Sequence, residues 1–259
     1  INHFNNLVDY LFKKKILTSL SQVLEIGSND GSLQKILKKK CYFVLGVDPA
    51  THLTIDKNLI TMKGMYDNKL SNKITKKFYK FDVIIANNVI ANIDDLDTVF
   101  KGISNNLVDN GYFVMETFSL SKLLKHNLID NIYHEHLSYF TFKTINRFAK
   151  KYKINLVDGS IEKVKGGSLR LIFKKQNKYK KNHLIEKIIK KEEQKLNIKE
   201  RFKELRIINN NNMYKIHNYL EKNKIKKIVG FGASVGTTTL VYDFELTKKI
   251  SYIFDNEKK

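Results

Sequence analysis

The 259-residue chain has one cysteine, one proline and no tryptophan. Because Cys41 stands alone, the chain can form neither an internal disulfide framework nor a cysteine-based zinc site. No apolar run is long enough to span a membrane, and no secretory signal segment is visible. These absences favour a cytoplasmic protein without a membrane partner.

Acidic residues are also scarce: 26 Asp and Glu against 47 Lys and Arg give a formal net charge of +21. A charge of this sign is typical of nucleic-acid binding. Only Arg147, Arg170, Arg201 and Arg206 are arginines, however, and arginine is the side chain that grips phosphate bidentately. Lysine, asparagine and isoleucine are encoded by AT-rich codons, so coding bias explains much of the charge. We therefore interpret the lysines as a solvated surface and expect no nucleic-acid partner.

Hydrophobic residues make up 42% of the chain, enough for one large domain and a smaller unit. Helical spacing of apolar residues predicts a helix over residues 1–20. Further helices are predicted at 32–39, 96–107 and 141–152. Strands are predicted at 22–26, 43–47, 81–86, 112–116, 154–158 and 168–173. The alternation of strands and helices predicts an α/β fold with parallel pairing and right-handed crossovers.

Residues 176–259 have a different organisation. Residues 183–222 are predicted to be helical and heavily charged, and the run from Asn209 to Asn212 is predicted to split them into two helices. A strand at 227–230, a glycine turn, a helix and a strand at 250–254 then start a second, smaller α/β unit. Its strand–glycine turn–helix pattern is weakly similar to that at the first strand and turn of the chain. The sequence begins without Met and stops soon after a strand, so we expect a fragment.

The turn after the first predicted strand reads Glu25-Ile26-Gly27-Ser28-Asn29-Asp30-Gly31. Glycines here let a ligand approach the backbone at the carboxyl edge of the sheet. The dinucleotide fingerprint G-x-G-x-x-G is absent. A pyrophosphate prefers a helix N-terminus without carboxylates. Glu25 and Asp30 instead suit a sulfonium and an amino group, which favours S-adenosylmethionine (SAM) over NAD.

Two further strand ends complete the predicted cofactor site. Asp48, followed by Pro49, comes 23 residues after Glu25, where an acidic side chain can accept hydrogen bonds from ribose hydroxyls. Asn87 and Asn88 follow another strand, near the expected methionine portion. Together these pieces predict a Rossmann-like class I SAM methyltransferase domain over residues 1–175. The predicted cofactor-binding residues are Glu25, Gly27, Ser28, Asn29, Asp30, Gly31, Asp48, Pro49, Asn87 and Asn88.

A polar loop contains Tyr133-His134-Glu135-His136. Methyl transfer to carbon needs a base that removes a proton next to a ketone and a group that stabilises the enolate oxygen. His136 is the natural base, Glu135 its support or an alternative base, and Tyr133 a donor to the enolate oxygen. His134 and His136 could bind a metal, but no third ligand is nearby and we predict none. These residues could equally form a polar loop that supports the sheet.

Four segments occur in an order that resembles the sugar C-methyltransferases, which act on nucleotide-linked 4-keto-deoxysugars. They are Glu25 to Gly31, Asp82 to Val89, Tyr133 to Phe140, and Gly166-Gly167-Ser168-Leu169-Arg170. The resemblance covers nearly the whole chain, and the Tyr-His-Glu-His stretch is its most specific part. It implies the same catalytic positions, Tyr133, Glu135 and His136. It also identifies residues 176–259 as a helical linker and partial C-terminal domain of the family.

Candidate substrate contacts are Tyr139, Ser168 and Arg170, because a guanidinium suits a pyrophosphate. Ser168 and Arg170 could also simply complete a strand. The sequence departs from the family pattern in lacking its N-terminal zinc module of four cysteines. Other departures are Asn92 and Lys165 at positions that are usually His, and Ser234 and Gly236 at positions that are usually Pro and Lys.

The expected activity is SAM-dependent methyl transfer to a carbon next to the ketone of a nucleotide-linked keto-deoxysugar. A monomer is the simplest expectation. Two alternatives remain open: a methyltransferase acting on RNA or another small molecule, and a non-catalytic basic protein that binds nucleic acid on the same fold. The chain has no Asn-Pro-Pro-aromatic motif for amino-nitrogen methylation and no pair of cysteines for methylation of cytosine carbon.

Overall fold

The computed structural model describes residues 2–50, 56–164, 166–177 and 181–256. The α-helices are α1 (Asn2–Lys13), α2 (Ser32–Lys38), α3 (Asn68–Phe78), α4 (Leu96–Asn106), α5 (Leu120–His126), α6 (Phe142–Lys150), α7 (His183–Glu193), α8 (Ile198–Lys222) and α9 (Val235–Asp243). The strands are β1 (Gln22–Ile26), β2 (Phe43–Asp48), β3 (Ile60–Lys63), β4 (Phe81–Asn87), β5 (Leu107–Phe118), β6 (Ile154–Glu162), β7 (Ser168–Lys175), β8 (Ile228–Phe231) and β9 (Ile250–Phe254). Short 3₁₀ turns cover Ile90–Asn92 and Ile129–Asn131.

The main sheet has the strand order β3-β2-β1-β4-β5-β7-β6. Strands β1 to β5 run parallel, whereas β7 is antiparallel to both β5 and β6. The strand order reverses at β1, which lies between β2 and β4. In open α/β sheets, ligands bind at the carboxyl ends of the strands beside such a reversal. The predicted α/β fold is confirmed, and its ligand edge is fixed by β1, β2 and β4.

Helices cover both faces of this sheet, so its central strands are mostly apolar. Successive strand residues point to opposite faces. Leu24 and Ile84 belong to the larger core with helices α3, α4 and α6, while Val23 and Val83 belong to a second core with α1 and α2. This double packing holds the carboxyl edge of the sheet in place.

Several boundaries differ from the sequence-based expectation. The first helix ends at Lys13 rather than near residue 20, and Lys15 takes a left-handed conformation (φ 56°) that ends it. No element was predicted between the second and third predicted strands, yet β3 and α3 lie there, with the Asp67 side chain capping α3 at the amide of Leu70. Strand β5 begins at Leu107 rather than at residue 112, and its pairing with β4 shifts register in this added part.

The predicted helix break at the asparagine run is wrong. Helix α8 continues through Asn209 to Asn212. An asparagine in a helix interior costs only about 0.7 kcal/mol relative to alanine, which tertiary packing readily offsets. The break lies earlier, where the Asn197 side chain caps α8 by accepting a hydrogen bond from the amide of Glu200. A single 25-residue helix therefore joins the two units.

The second unit consists of β8, α9 and β9, with β8 and β9 paired in parallel as a separate two-stranded sheet. This confirms the predicted strand, glycine turn, helix and strand. Many of its apolar side chains are exposed, including Phe231, Tyr252 and Phe254. Within the described part of the chain, no helix is both long and apolar enough to cross a membrane.

Candidate active site

The predicted cofactor residues come together at the carboxyl edge of β1, β2 and β4. Glu25 in β1 lies opposite Gly46 in β2 and Ile85 in β4. Asp48 and Asn87 are the last residues of β2 and β4. Neighbouring parallel strands thus bring three polar strand ends side by side, as the sequence spacing indicated.

The turn between β1 and α2 depends on residues that tolerate positive φ. Gly27, Asn29 and Gly31 have φ values of 75°, 47° and 78°. The Gly27 amide donates to the Val47 carbonyl oxygen at 2.8 Å. A Cβ atom on Gly27 would lie 2.9 Å from Cβ of Val89. Gly27 is therefore required both by its backbone conformation and by the closeness of the chain that follows β4.

Asp48 links the turn to the end of β2. Its Oδ2 accepts a hydrogen bond from the Asn29 amide at 2.9 Å, and its Oδ1 accepts one from the Ala50 amide at 2.7 Å. Each carboxylate oxygen can accept more than one hydrogen bond. Asp48 can therefore shape the turn and still accept from ribose hydroxyls. Pro49, the neighbouring predicted residue, is exposed.

Glu25 is the most deeply buried acid of this edge. Its side chain is 3% exposed, and Oε2 accepts no hydrogen bond from the residues that the structure describes. Burial, followed by the nearby charges of Asp30 and Asp48, raises the pKa of Glu25 well above its ordinary value. A buried acid without a partner is costly unless a ligand satisfies it. A cationic ligand with amino and sulfonium groups fits this position.

Other polar groups at the edge also fit a SAM molecule. Asn87 Nδ2 and Ser28 Oγ are buried and have no hydrogen-bond partner in the described part of the chain. Asn88 has a φ of 54° and donates from Nδ2 to Asn87 Oδ1 at 2.8 Å, which orients the Asn87 amide. Asp30 instead holds the first turn of α2, where Ser32 lowers its pKa.

The loop with the Tyr-His-Glu-His stretch lies against the tips of β4 and β5. The amides of Leu137 and Ser138 both donate to the carbonyl oxygen of Ala91, in the turn after β4, at 2.8 and 3.1 Å. The Leu120 amide, just after β5, donates to the carbonyl oxygen of Phe140 at 3.0 Å. The loop is therefore tied to the same sheet edge as the cofactor residues.

The His136 ring is held in a defined orientation. Its Nδ1 lies 2.8 Å from the carbonyl oxygen of Asn131. A carbonyl only accepts, so Nδ1 carries the proton and Nε2 has the lone pair in the neutral ring. The ring packs between those of Phe118 and Tyr133, with centroid distances of 4.3 and 4.0 Å. This is the tautomer that a base acting through Nε2 requires.

The other predicted loop residues have different environments. Tyr133 is half-buried, and burial followed by the charges of Glu135 and Asp130 raises the pKa of its hydroxyl, which keeps it a donor. Glu135 and His134 are exposed. The group seen to orient His136 is the Asn131 carbonyl, not a carboxylate. The hydroxyl of Tyr139 donates to that same oxygen at 3.3 Å.

Ser168 and Arg170 are buried in β7. The Ser168 hydroxyl donates to the Val164 carbonyl oxygen at 3.1 Å. Arg170 Nε donates to Glu116 Oε1 at 2.5 Å, and its guanidinium lies over the ring of Tyr10 at 5.4 Å. These contacts give both residues a structural role. Binding a substrate pyrophosphate would require Arg170 to leave Glu116.

Sequence reasoning missed Asn131, Ala91 and Phe118. The first two act through backbone carbonyls, which leave no signal in a side-chain pattern, and Phe118 looks like an ordinary strand residue. Asn92 is exposed in the turn after β4, and Lys165 lies outside the described residues. Among the described residues no group of three or more His, Cys, Asp or Glu is arranged to hold a metal.

Solved structures share the fold. A putative sarcosine dimethylglycine methyltransferase from Galdieria sulphuraria matches with a TM-score of 0.51 and 13% identity, over 69% of this chain and 87% of that one. A SAM-dependent methyltransferase from Archaeoglobus fulgidus matches with a TM-score of 0.51 and 14% identity, over 66% and 94%. At this identity the likeness shows the fold, which is that of the class I methyltransferases.

Family comparisons are more specific. Residues 4–158 match the methyltransferase domain family, and residues 163–259 match the C-methyltransferase C-terminal domain. C-methyltransferase NovU of Streptomyces niveus is 30% identical over 172 residues, which is 65% of this chain and 41% of NovU. The chain belongs to the methyltransferase domain family, its C-terminal part is similar to the C-methyltransferase C-terminal domain, and its cofactor is SAM. It spans less than half the length of that relative.

Proposed function

We propose that the chain transfers a methyl group from SAM to the carbon next to the ketone of a nucleotide-linked keto-deoxysugar. The observation that carries the proposal is the contact of 2.8 Å between His136 Nδ1 and the Asn131 carbonyl oxygen. It leaves Nε2 as the basic atom of a half-buried ring beside the cofactor edge. The similarity of residues 163–259 to the C-methyltransferase C-terminal domain and of the chain to NovU supports methylation of carbon. The keto-sugar rests on the resemblance of the loop and of the Gly-Gly-Ser stretch.

A ketone suits this site because it makes the neighbouring C–H bond acidic enough for a histidine to act on. Nε2 of His136 takes that proton, and the electron pair of the C–H bond becomes the enolate. When bound, SAM supplies an electrophilic methyl group, and the sulfur keeps the bonding pair as the new carbon–carbon bond forms. The proton remains on His136, where the Asn131 carbonyl accepts a hydrogen bond from the charged ring.

Two other residues have roles in the proposed reaction. Tyr133, whose pKa is raised chiefly by burial, donates its hydroxyl to the enolate oxygen and stabilises the developing charge. Glu25 accepts from the amino group of the cofactor, which gives its buried carboxyl a cationic partner. Glu135 is exposed in this structure. It could support or replace His136 as the base only after the loop rearranges.

The test is binding of SAM by calorimetry, followed by transfer from labelled SAM to a panel of nucleotide 4-keto-sugars. We expect His136→Ala to lower transfer by about 100- to 10,000-fold, the usual contribution of a general base. SAM affinity should be unchanged. The matched control is His134→Ala, since His134 is exposed two residues away in the same loop.

Retention of transfer by His136→Ala would overturn the role of the base. Methylation of RNA, or of an acceptor without a ketone, in place of the sugar panel would support the alternative methyltransferase. No SAM binding by folded protein, together with tight and salt-sensitive RNA binding, would support the non-catalytic alternative.

A further inference from the structure

The second unit contacts the loop that carries His136. Helix α9 packs against the turn Ile129–Asn131. Thr239 Oγ1 in this helix donates to the carbonyl oxygen of Ile132 at 3.0 Å. A Cβ atom on Gly236 would lie 2.6 Å from the carbonyl oxygen of Asp130. Glycine at 236 therefore allows a backbone approach that any larger residue would prevent.

These two contacts stand on either side of Asn131. The Gly236 contact is with the residue before it, and the Thr239 contact is with the residue after it. The Asn131 carbonyl oxygen in turn accepts from both His136 Nδ1 and the Tyr139 hydroxyl. A shift of the peptide group between Asn131 and Ile132 would turn the carbonyl oxygen away from His136. The ring would then no longer be held with its proton on Nδ1. Helix α9 thus contacts the chain on both sides of the carbonyl that accepts a hydrogen bond from His136.

The residues of α9 are half-buried or exposed, so the helix has no fully buried apolar face. No residue of α9 is buried in the described structure. A cavity of about 620 Å³ lies beside it, lined in part by Ile129, Ile132, Leu205 and Thr239. With no fully buried apolar residue in α9, the close approach at Gly236 and the hydrogen bond from Thr239 are its specific contacts with this turn.

We propose that Gly236 and Thr239 are positioning residues for the base: they lock the turn Ile129–Asn131, so that the Asn131 carbonyl holds His136 with Nε2 free. The proposal rests on the proposed function, because it takes His136 as the base. It assigns the second unit a part in catalysis without placing any of its residues in contact with substrate.

The experiment uses the full chain with three threonine variants. Thr239→Val keeps the shape of the side chain but removes the donor, Thr239→Ser keeps the donor, and Thr238→Val is the control at an exposed neighbour. We expect Thr239→Val to lower kcat about tenfold, as a misoriented base does, with KM for SAM unchanged. Thr239→Ser should restore most of kcat, and Thr238→Val should match the parent chain.

Nitrogen NMR of the His136 ring gives a readout that does not depend on turnover. In the parent chain the neutral ring should be protonated at Nδ1, whereas Thr239→Val should show a mixture of the two tautomers. Gly236→Ala should show the same mixture and a lower kcat, because its Cβ pushes the helix from the Asp130 carbonyl. The melting temperature should move by no more than about 4 °C for Thr239→Val, the shift that 1 kcal/mol gives in a domain of this size.

A parent-like kcat and ring spectrum in Thr239→Val would overturn the inference while leaving the result for His136→Ala, and hence the proposed function, intact. Loss of kcat in Thr239→Val that serine does not restore would also count against it. If His136→Ala retains transfer, the proposed function fails instead, whatever the ring spectra show.

Discussion

The chain contains two strand–glycine turn–helix units whose local geometry is nearly the same. Gly27 follows β1 with a φ of 75°, and Gly232 follows β8 with a φ of 92°. In each turn an amide donates to an aspartate at the end of a neighbouring strand: Asn29 to Asp48 and Ala233 to Asp255. Backbone conformation and the aspartate contact therefore do not distinguish a cofactor turn from a structural one.

The difference lies in what surrounds each turn. Val89, which follows β4, fills the space beside Gly27, whereas no described residue except the chain neighbours of Gly232 has an atom within 4 Å of a Cβ placed there. Glu25 is buried before the first turn, while Val229 and Phe231 are exposed around the second. A third strand and a buried acid thus distinguish the turn of the candidate cofactor site from the second glycine turn.

Replacing Gly27 and Gly232 should give the largest difference between the two turns. Gly27→Ala introduces both strain and a clash with Val89, so we expect about 2–4 kcal/mol of destabilisation and loss of SAM binding. Gly232→Ala introduces strain alone, about 1 kcal/mol, and should leave SAM affinity unchanged. Thermal unfolding measures the change in stability, and calorimetry measures the change in SAM affinity. Equal losses in the two variants would show that the surroundings of the turns do not matter.

Replacing the acid near each turn should have a smaller effect. In the first unit the replacement should lower SAM affinity and raise stability. Glu25→Gln removes the charge that the cofactor's amino group meets, so SAM affinity should fall about 10- to 100-fold. Burial disfavours the charged form of Glu25, so at a pH above its raised pKa the same change should stabilise the free protein by about 1 kcal/mol. Asp255→Asn, the matched change in the second unit, should leave SAM affinity at the parent value. A parent-like affinity in Glu25→Gln would remove Glu25 from the site.

The raised pKa of Glu25 gives a pH dependence with a definite sign. Only the ionised carboxyl attracts the cationic cofactor, so SAM affinity should fall as the pH drops through the pKa of Glu25 in the free protein. The pKa of Glu25 is higher in the folded than in the unfolded chain. The stability that this carboxyl contributes is therefore greatest at a pH below its pKa in the unfolded chain, and it is lost as the pH rises through its pKa in the folded chain. Calorimetry over a pH series that rises from the ordinary glutamate pKa should show this dependence of SAM affinity in the parent chain and not in Glu25→Gln.

The smallest expected effect is at the apolar residue that ends β8, in contrast to its counterpart at the end of β1. Phe231 is 76% exposed, so Phe231→Ser should change stability by no more than about 0.5 kcal/mol. Ile26 occupies the corresponding place before Gly27 and is 2% exposed, and Ile26→Ala should cost about 2–5 kcal/mol. Denaturant unfolding distinguishes the two. A large loss in Phe231→Ser would mean that this face is covered in solution.

The sequence predicted those elements whose signal is local. Strands such as β1 and β4 are short apolar runs next to turn residues, and their order along the chain implied parallel pairing. The exposed edge strand β3 has no such run, which is why it was missed. The asparagine run led to a wrong prediction of a helix break, because helix propensity has only a weak effect. The cap at Asn197 and the burial of Leu205 and Leu220 stabilise α8 as one helix.

The candidate site was predictable where side chains provide the chemistry. The spacing of Glu25, Asp48 and Asn87 brought them to one edge of the sheet, and the loop around His136 does lie at that edge. The environment of Arg170 was not predictable, because its partner Glu116 is distant in sequence and looks like a strand residue. The Asn131 carbonyl could not be found either, since any residue at that position would supply it.

Helix α8 has a consequence for how insertions and deletions are tolerated. Its 25 residues rise about 37 Å, and each residue turns the helix by about 100°. One residue gained or lost within it would rotate everything that follows by more than a quarter turn. Seven residues would nearly restore the original direction and lengthen the span by about 10 Å. The rotational phase of this helix thus determines which side of α9 faces the turn before Tyr133.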